Sequence, residues 1–242
     1  MVKKRSISST GEQINALSKI SKAITSDLYL EDLLKLIVTV TAQVMKSKIC
    51  SLMLLDEGKK ELVIRATQSV SEAYNKKPNV KLGEGISGRA ALENRPISIL
   101  DVKADPNYVN REIAYKEKLC SLLSVPMAVK GKVIGVLNCY TTVSHQFTDT
   151  EIATLTTVTN SAAIAIENTE LMVKTKVIQE ELEARKTIER AKGILMKEHR
   201  FSEEEAFRTI QKYSMDQRKS MREISEAIIL TSGIKTSLPK IK

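Results

Sequence analysis

Between residues 148 and 198 the chain contains no proline and a single glycine, Gly193. Pro and Gly are the residues that break helices. This run can therefore stay helical well beyond the about 10–14 residues usual in globular proteins. Its start reads as a capping box, with Thr148 as N-cap and Glu151 three residues on. So long a helix needs a partner to cover its apolar side chains. Ile164, Leu171 and Ile178 recur at intervals of seven and Leu182 joins them, until Arg185 breaks the series. The pattern suits a connector that dimerises in parallel as a coiled coil. The other reading is two helices bent near Asn168 or Lys174 and packed back onto the preceding residues.

Upstream of the connector the periodicity alternates. Residues 1–10 read as a disordered tail. Residues 12–26 place Ile14, Leu17, Ile20 and Ile24 on one helical face, and from Leu30 a second stripe runs through Leu33, Leu34, Ile37, Val38, Thr41, Val44 and Met45. Asp27 can cap the approach to that second helix. Residues 49–55 and 61–68 are apolar runs either side of Asp56-Glu57-Gly58, hence strand, turn, strand. Residues 69–80 are polar and loop-like. Gly83, Gly85 and Gly88 lead into a short helix that ends by Pro96. Residues 96–102 form a strand, 104–118 a loop with a short helix, and 121–129 and 133–140 a hairpin about Lys130-Gly131-Lys132. Helices flanking an antiparallel sheet make an α+β domain over residues 11–148, followed by the connector over 149–184.

Downstream, residues 185–231 read as three helices, with a tail over 232–242. The first is the connector's end and stops at His199-Arg200. The second starts at Ser202 with Glu205 three residues on, a capping box, and Glu203 and Glu204 suit its dipole. Ala206, Phe207, Ile210 and Tyr213 are expected on its inner face. Ser220 and Glu223 repeat the capping pattern for the third helix, with Met221, Ile224, Ala227 and Ile228 inward. A core of Ile194, Leu195, Phe207, Ile210, Ile224 and Ile228 follows. Gly193 inside a helix costs about 1 kcal/mol against Ala, which either a neighbouring helix or a closely approaching ligand backbone must offset.

Charge bears on the partner. The chain has a formal net charge of +9, and from residue 174 onward it carries 16 Lys and Arg against 11 Asp and Glu. A basic excess favours polyanions through counterion release, although a solvated helical face carries the same charges. The three cysteines, Cys50, Cys120 and Cys139, have no metal-ligand spacing and suit a reducing cytoplasm. No apolar run is long enough to span a membrane, and the basic start at Lys3, Lys4 and Arg5 leads into polar residues rather than a signal peptide.

Three blocks together, LGEGISGRAALENRPISILDV at 82–102, SLLSVPMAVKGKVIGVLNCY at 121–140 and FTDTEIATL at 147–155, resemble a GAF domain. The resemblance implies a small-ligand sensor with a six-stranded antiparallel sheet that dimerises through its flanking helices. Gly83, Gly85, Ile86, Gly88, Arg89, Cys120 and Cys139 are the candidate pocket residues, and the glycines can equally serve only to shape the turn. The cyclic-nucleotide signature of such domains is incomplete, since Asn138 is followed by Cys139 rather than Lys. The ligand and any cofactor are unassigned. A second resemblance rests on Ala191-Lys192-Gly193-Ile194-Leu195-Met196, Ser202 to Phe207, Ser214-Met215 and Met221-Arg222-Glu223-Ile224, which are similar to an ANTAR domain. That family implies RNA binding at tandem stem-loops in leader transcripts, transcription antitermination and a homodimer, with no enzymatic activity. Arg190, Ala191, Lys192, Gly193, Met196, Lys197, Arg218, Lys219 and Arg222 are the expected RNA contacts. Two alternatives stay open: C-terminal helices that bind a protein partner, and a GAF-type reductase of methionine sulfoxide working through thiols.

Overall fold

The computed structural model describes residues 11, 18, 19 and 30–237; all but two residues of the helix expected over 12–26, the Asp27 cap, the tail over 1–10 and the last five residues of the expected C-terminal tail lie outside these. The chain divides into two compact units between Leu171 and Met172.

In the first unit, α1 (Leu30–Val44) buries the predicted stripe of Leu33, Leu34, Ile37, Val38, Thr41 and Val44. Six strands follow: β1 (Ile49–Asp56), β2 (Glu61–Thr67), β3 (Val80–Lys81), β4 (Ile97–Ile99), β5 (Leu122–Val129) and β6 (Lys132–Tyr140). They form one sheet in the order β3-β2-β1-β6-β5-β4, every neighbouring pair antiparallel. Short helices α2 (Glu72–Asn75), α3 (Gly85–Glu93) and α4 (Arg111–Lys116) interrupt the strands. Helix α2 falls in the stretch that reads as loop. Its single turn is capped by Ser71, whose hydroxyl accepts from the Tyr74 amide. Strand β4 is shorter than its apolar run, and the short edge leaves Pro126 of β5 past the last residue that β4 pairs, where its missing N–H costs no ladder bond.

Period-two alternation sends side chains to both sheet faces. Cys50 and Leu52 of β1, Leu123 and Val125 of β5, and Leu137 and Cys139 of β6 pack under α1 and under Leu155, Val158, Ala162, Ala163 and Ile166 of the long helix. The opposite face holds Ile49, Leu122 and Tyr140 against Tyr74, Ile86, Ala90, Ile97, Val102 and Tyr108. Because both faces are covered, the central strands read as nearly continuous apolar runs. Truncating one of these side chains, Leu34 for example, would cost about 2–5 kcal/mol.

The long helix α5 is one continuous element over Asp149–His199, so the chain does not break into two helices at Asn168 or Lys174. Its capping box forms as the spacing requires: the Glu151 amide donates to Thr148 Oγ1 at 3.3 Å and the Thr148 amide to Glu151 Oε2 at 2.8 Å. The same carboxylate sits 2.9 Å from His145 Nε2, a buried pair that ties the helix start to the preceding loop. Further along α5, Ile164, Leu171, Ile178 and Leu182 are half or more exposed, together with Met172 and Val173.

The second unit consists of the end of α5 with α6 (Glu203–Gln217) and α7 (Met221–Ser237). Helix α7 runs past Thr231, beyond which the sequence reads as tail. Both capping boxes form, at Ser202 with Glu205 and at Ser220 with Glu223. The core differs from expectation. Ala191, Leu195, Ala206 and Ile210 are buried, surrounded by Ile188, Phe201, Met221, Ile224, Ile228 and Ile229. Phe207 and Tyr213 stay 41% and 54% exposed, Ile194 stands outside the cluster, and Ala227 is exposed. Small residues meet at the centre because they let helices approach closely, which rotates α6 so that Ala206 rather than Phe207 faces inward. Ser225 is fully buried, its hydroxyl satisfied by the Met221 carbonyl at 2.7 Å. Arg200 closes the corner after α5 with φ of 59°, so the turn does use the left-handed region where a glycine would sit without strain.

Candidate functional site

The end of α5 carries most of the expected nucleic-acid contacts, and they separate into two groups. Arg190, Gly193 and Lys197 fall at i, i+3 and i+7 on one exposed face, with Met196 beside them at 41% exposure. A methyl group built onto Gly193 would meet nothing within 4 Å. Among the described residues no helix packs there, so the helix cost of Gly193 has no return from them. Arg190, Lys197, Arg218 and Lys219 form no ion pair among the described residues, and all are exposed. Arg218 caps the C-terminus of α6 with φ of 53°, while Arg222 is half-exposed and paired with Glu226 at 2.9 Å.

The second group points inward. Ala191 is fully buried and makes the centre of the three-helix core. Lys192 is only 6% exposed; its Nζ lies 2.7 Å from Glu203 and 3.0 Å from Glu189. The bond to Glu203, then that to Glu189, holds the ammonium above its ordinary range, and the same bond holds the Glu203 carboxyl below its own. Lys192 thus fastens the first turn of α6 to α5, and neither Ala191 nor Lys192 offers a free surface to a partner.

In the first unit the glycine-rich segment is a structural turn at its centre. Gly83 and Gly85 hold φ of +85° and +59°, and a methyl group on Gly88 would lie 2.2 Å from the Lys81 carbonyl. Gly88 is needed so that α3 can lie against β3. Ile86 belongs to the core on the α3 side of the sheet. Arg89 is half-exposed and paired with Glu93 at 3.3 Å. Cys139 lies on the other face, under α1, with its sulfur 3.8 Å from Cys50 across the β1–β6 pair. Cys120 is buried with its sulfur 3.7 Å from the Leu100 carbonyl. Burial, reinforced by Cys139, pushes the Cys50 thiol well up from its ordinary range, which disfavours the nucleophilic thiolate.

On the α3 side of the sheet a polar row crosses the three central strands. Ser51, Asn138 and Ser124 are cross-strand neighbours and fully buried. Asn138 Oδ1 accepts from Ser87 of α3 at 3.0 Å, and Ser51 Oγ lies 2.9 Å from Tyr74 Oη. Lys77, just after α2, donates to the same Tyr74 hydroxyl at 3.2 Å and stands 4.4 Å above the Tyr74 ring. None of these residues is among those expected from the sequence to line a pocket. Ser51, Ser124 and Asn138 carried a signal, one polar residue at the centre of each apolar strand. Lys77 carried none.

A family model for the GAF domain matches residues 28–167, and one for the ANTAR domain matches residues 176–229. The chain is 40% identical over 67 residues to the transcriptional regulatory protein PdtaR of Mycobacterium tuberculosis, a match covering 28% of this chain and 33% of that protein. The chain thus spans a third of the length of that curated relative. It is 28% identical over 162 residues to a methyl sulfide methyltransferase-associated sensor of Methanosarcina acetivorans, covering 65% of this chain and 16% of the sensor. Among solved structures, the GAF domain of a phosphoenolpyruvate-protein phosphotransferase from Coxiella burnetii superposes with a TM-score of 0.61 at 26% identity, over 69% of this chain and 99% of that one. A free methionine-R-sulfoxide reductase from Neisseria meningitidis shares the fold, with a TM-score of 0.58 at 20% identity over 71% of this chain and 99% of that one.

Proposed function

Because this chain belongs to the GAF domain family and carries an ANTAR domain behind its GAF domain, we propose that it is a signal-responsive RNA-binding regulator of transcription antitermination. The first unit senses a small ligand, and the second grips RNA stem-loops. Helix α5, which begins in one unit and ends in the other, carries the signal.

The observation that carries the RNA reading is the open helix face at Gly193, flanked by the unpaired cations of Arg190 and Lys197. A bare backbone between two cations lets a phosphodiester backbone approach closely, and exposed Phe207 and Tyr213 offer planes for unpaired bases. Lys192 supports the site indirectly, by holding α6 against α5. The exposed apolar positions at Leu171, Ile178 and Leu182 support a parallel homodimer, which would present two copies of the ANTAR domain to tandem stem-loops. A cytoplasmic site of action follows from that role, and among the described residues no helix is long and apolar enough to cross a membrane. The reductase alternative is not favoured, since Cys50 and Cys139 are buried and the Cys50 thiol is held protonated.

A gel-shift titration with tandem stem-loop RNA tests the reading. Reversing Arg190 and Lys197 to Glu lowers affinity by about a hundredfold and reduces the salt slope by about one for each phosphate no longer neutralised. Equal binding to scrambled RNA of the same charge would sink the proposal. A C-terminal unit that instead captures a protein with little dependence on salt would point to the protein-partner alternative.

A further inference from the structure

Several polar groups inside the first unit have hydrogen-bonding capacity to spare, and they lie together on the α3 side of the sheet. Lys77 is 8% exposed, yet no carboxylate pairs with it among the described residues. Its ammonium has three donors, and what it meets is the Tyr74 hydroxyl and the rings of Tyr74 and Tyr140. Burial pulls its pKa down to about 7. A buried, unpaired lysine is costly to keep, so it calls for a compensating anion.

The other spare groups sit beside it. Tyr74 joins Lys77 to Ser51, Ser51 faces Asn138 across the β1–β6 ladder, and Asn138 faces Ser124 across the β6–β5 ladder. Asn138 uses its carbonyl oxygen on Ser87, which leaves the amide nitrogen unsatisfied, and the Ser124 hydroxyl is also without a partner. Both are fully buried. Ser87 belongs to the first turn of α3, a nine-residue helix whose N-cap side chain makes no capping bond. The first-turn amides of a helix lack intrahelical partners, and the dipole there favours negative charge. An ammonium, an amide N–H, a hydroxyl and a helix N-terminus can all donate; the one carboxylate at that N-terminus, the N-cap Glu84, is exposed and accepts from the Lys81 amide at 3.1 Å instead.

We propose that this interior row, from Lys77 through Asn138 to Ser124, is the sensor's ligand site and that its ligand is a small organic acid. The carboxylate takes hydrogen bonds from Lys77 and from the Asn138 amide or Ser124 hydroxyl. The carbon skeleton lies against Tyr74, Tyr108 and Tyr140. One lysine balances one carboxylate group, which favours carboxylates, with one charge on each group, over a phosphate dianion, which concentrates two charges on one. The row crosses three strands about 5 Å apart, a span that suits an acid of a few carbons.

The proposal rests on the reading of the first unit as a ligand sensor. It is tested on the purified full chain by calorimetric titration with pyruvate and succinate, against succinamide and inorganic phosphate. Native mass spectrometry of the same preparation looks for a co-purified acid. The expected result is binding of at least one acid, with succinamide binding much more weakly. Lys77→Met weakens acid binding roughly ten- to a hundredfold, and Ser124→Ala by a smaller factor. Removing an unpaired buried lysine leaves the unit folded, and circular dichroism checks this. Succinamide binding as well as succinate, phosphate alone binding, or unchanged affinity in Lys77→Met overturns the proposal. So does the absence both of binding at about 10 mM acid and of any co-purified acid. Acid binding that leaves RNA affinity untouched keeps the site and removes the coupling; RNA binding with no acid bound removes the site and keeps the RNA reading.

Discussion

The two units keep their unspent chemistry in opposite places, and two glycines make the contrast concrete. Gly88 has a carbonyl where a side chain would begin, whereas Gly193 has empty space. In the first unit the uncompensated polar groups are inside: Lys77, Asn138 and Ser124 are buried and short of partners. In the second the buried cation, Lys192, has two carboxylates, and the unpaired ones, Arg190 and Lys197, are outside. Unmet hydrogen-bonding capacity in an interior suits a molecule small enough to be enclosed. On an exterior it suits a polymer that can only be touched. The same contrast separates a sensor from an effector.

Substitution of the first glycine breaks the comparison most violently. Gly88→Ala pushes a methyl group against the Lys81 backbone, which cannot swing aside, and destabilises the first unit by about 3 kcal/mol or more. Urea denaturation followed by hydrogen exchange should show the loss in β3 and α3 and leave α6 and α7 unchanged. An unaltered midpoint would mean that the α3–β3 contact is looser than the structure has it.

Lys77→Met is the next largest and has the opposite sign, a gain of about 2 kcal/mol near neutral pH from removing a buried unpaired charge. The sign follows from linkage. The folded-state pKa of Lys77 is lowered from 10.5 to about 7 by burial, so the unfolded chain binds the extra proton between these values. The penalty is full below pH 7 and is relieved as pH rises toward 10.5. The groups facing the ammonium, Tyr74 and Tyr140, have pKa values raised by burial and stay neutral through this window. Stability of the parent relative to Lys77→Met should therefore climb with pH between about 7 and 10.5. A difference that is flat with pH would show that Lys77 is solvated.

The smaller effects lie in the second unit. Gly193→Ala should raise helix stability by about 1 kcal/mol while weakening RNA binding, since nothing in the unit occupies that space but a backbone approaching it would. Improved stability with unchanged RNA affinity would take Gly193 out of the interface. Arg200→Gly relieves a left-handed residue at the corner after α5 and should add about 0.5–1 kcal/mol, read as a higher melting temperature. A lower one would mean that the Arg200 side chain makes compensating contacts.

The features legible from the sequence are those that depend on near neighbours. The three capping boxes, at Thr148, Ser202 and Ser220, all form, because each is complete within four residues. The unbroken α5 follows from the absence of Pro over its length. The α1 stripe and the β1–β2 and β5–β6 hairpins follow from periodicity. At the second unit, the exposed cations around Gly193 are legible as a group, but their division is not. Lys192 and Lys197 look alike in the chain, and only the position of Glu203 after the turn makes one of them structural. The width of the inner face of α6 escapes the sequence for a related reason: Ala206 and Ile210 are buried as expected, whereas Phe207 and Tyr213 are not. Phe207 is the more apolar residue, yet close helix approach selects Ala206.

The sequence by itself determined the main helices and hairpins, the capped helix starts and the two family signatures, because turn chemistry, capping and periodicity act over a few residues. It also displayed Ser51, Ser124 and Asn138 as polar interruptions in apolar strands, without saying that they meet. Tertiary structure alone decided that they form one row, and that Lys77, in a stretch that reads as loop, is carried into the interior by a single capped turn. Burial is a property of what the rest of the chain places around a residue. An isolated lysine between Lys76 and Pro78 has no local signal of it, and the folded sheet supplies the low-dielectric surroundings that make its charge consequential.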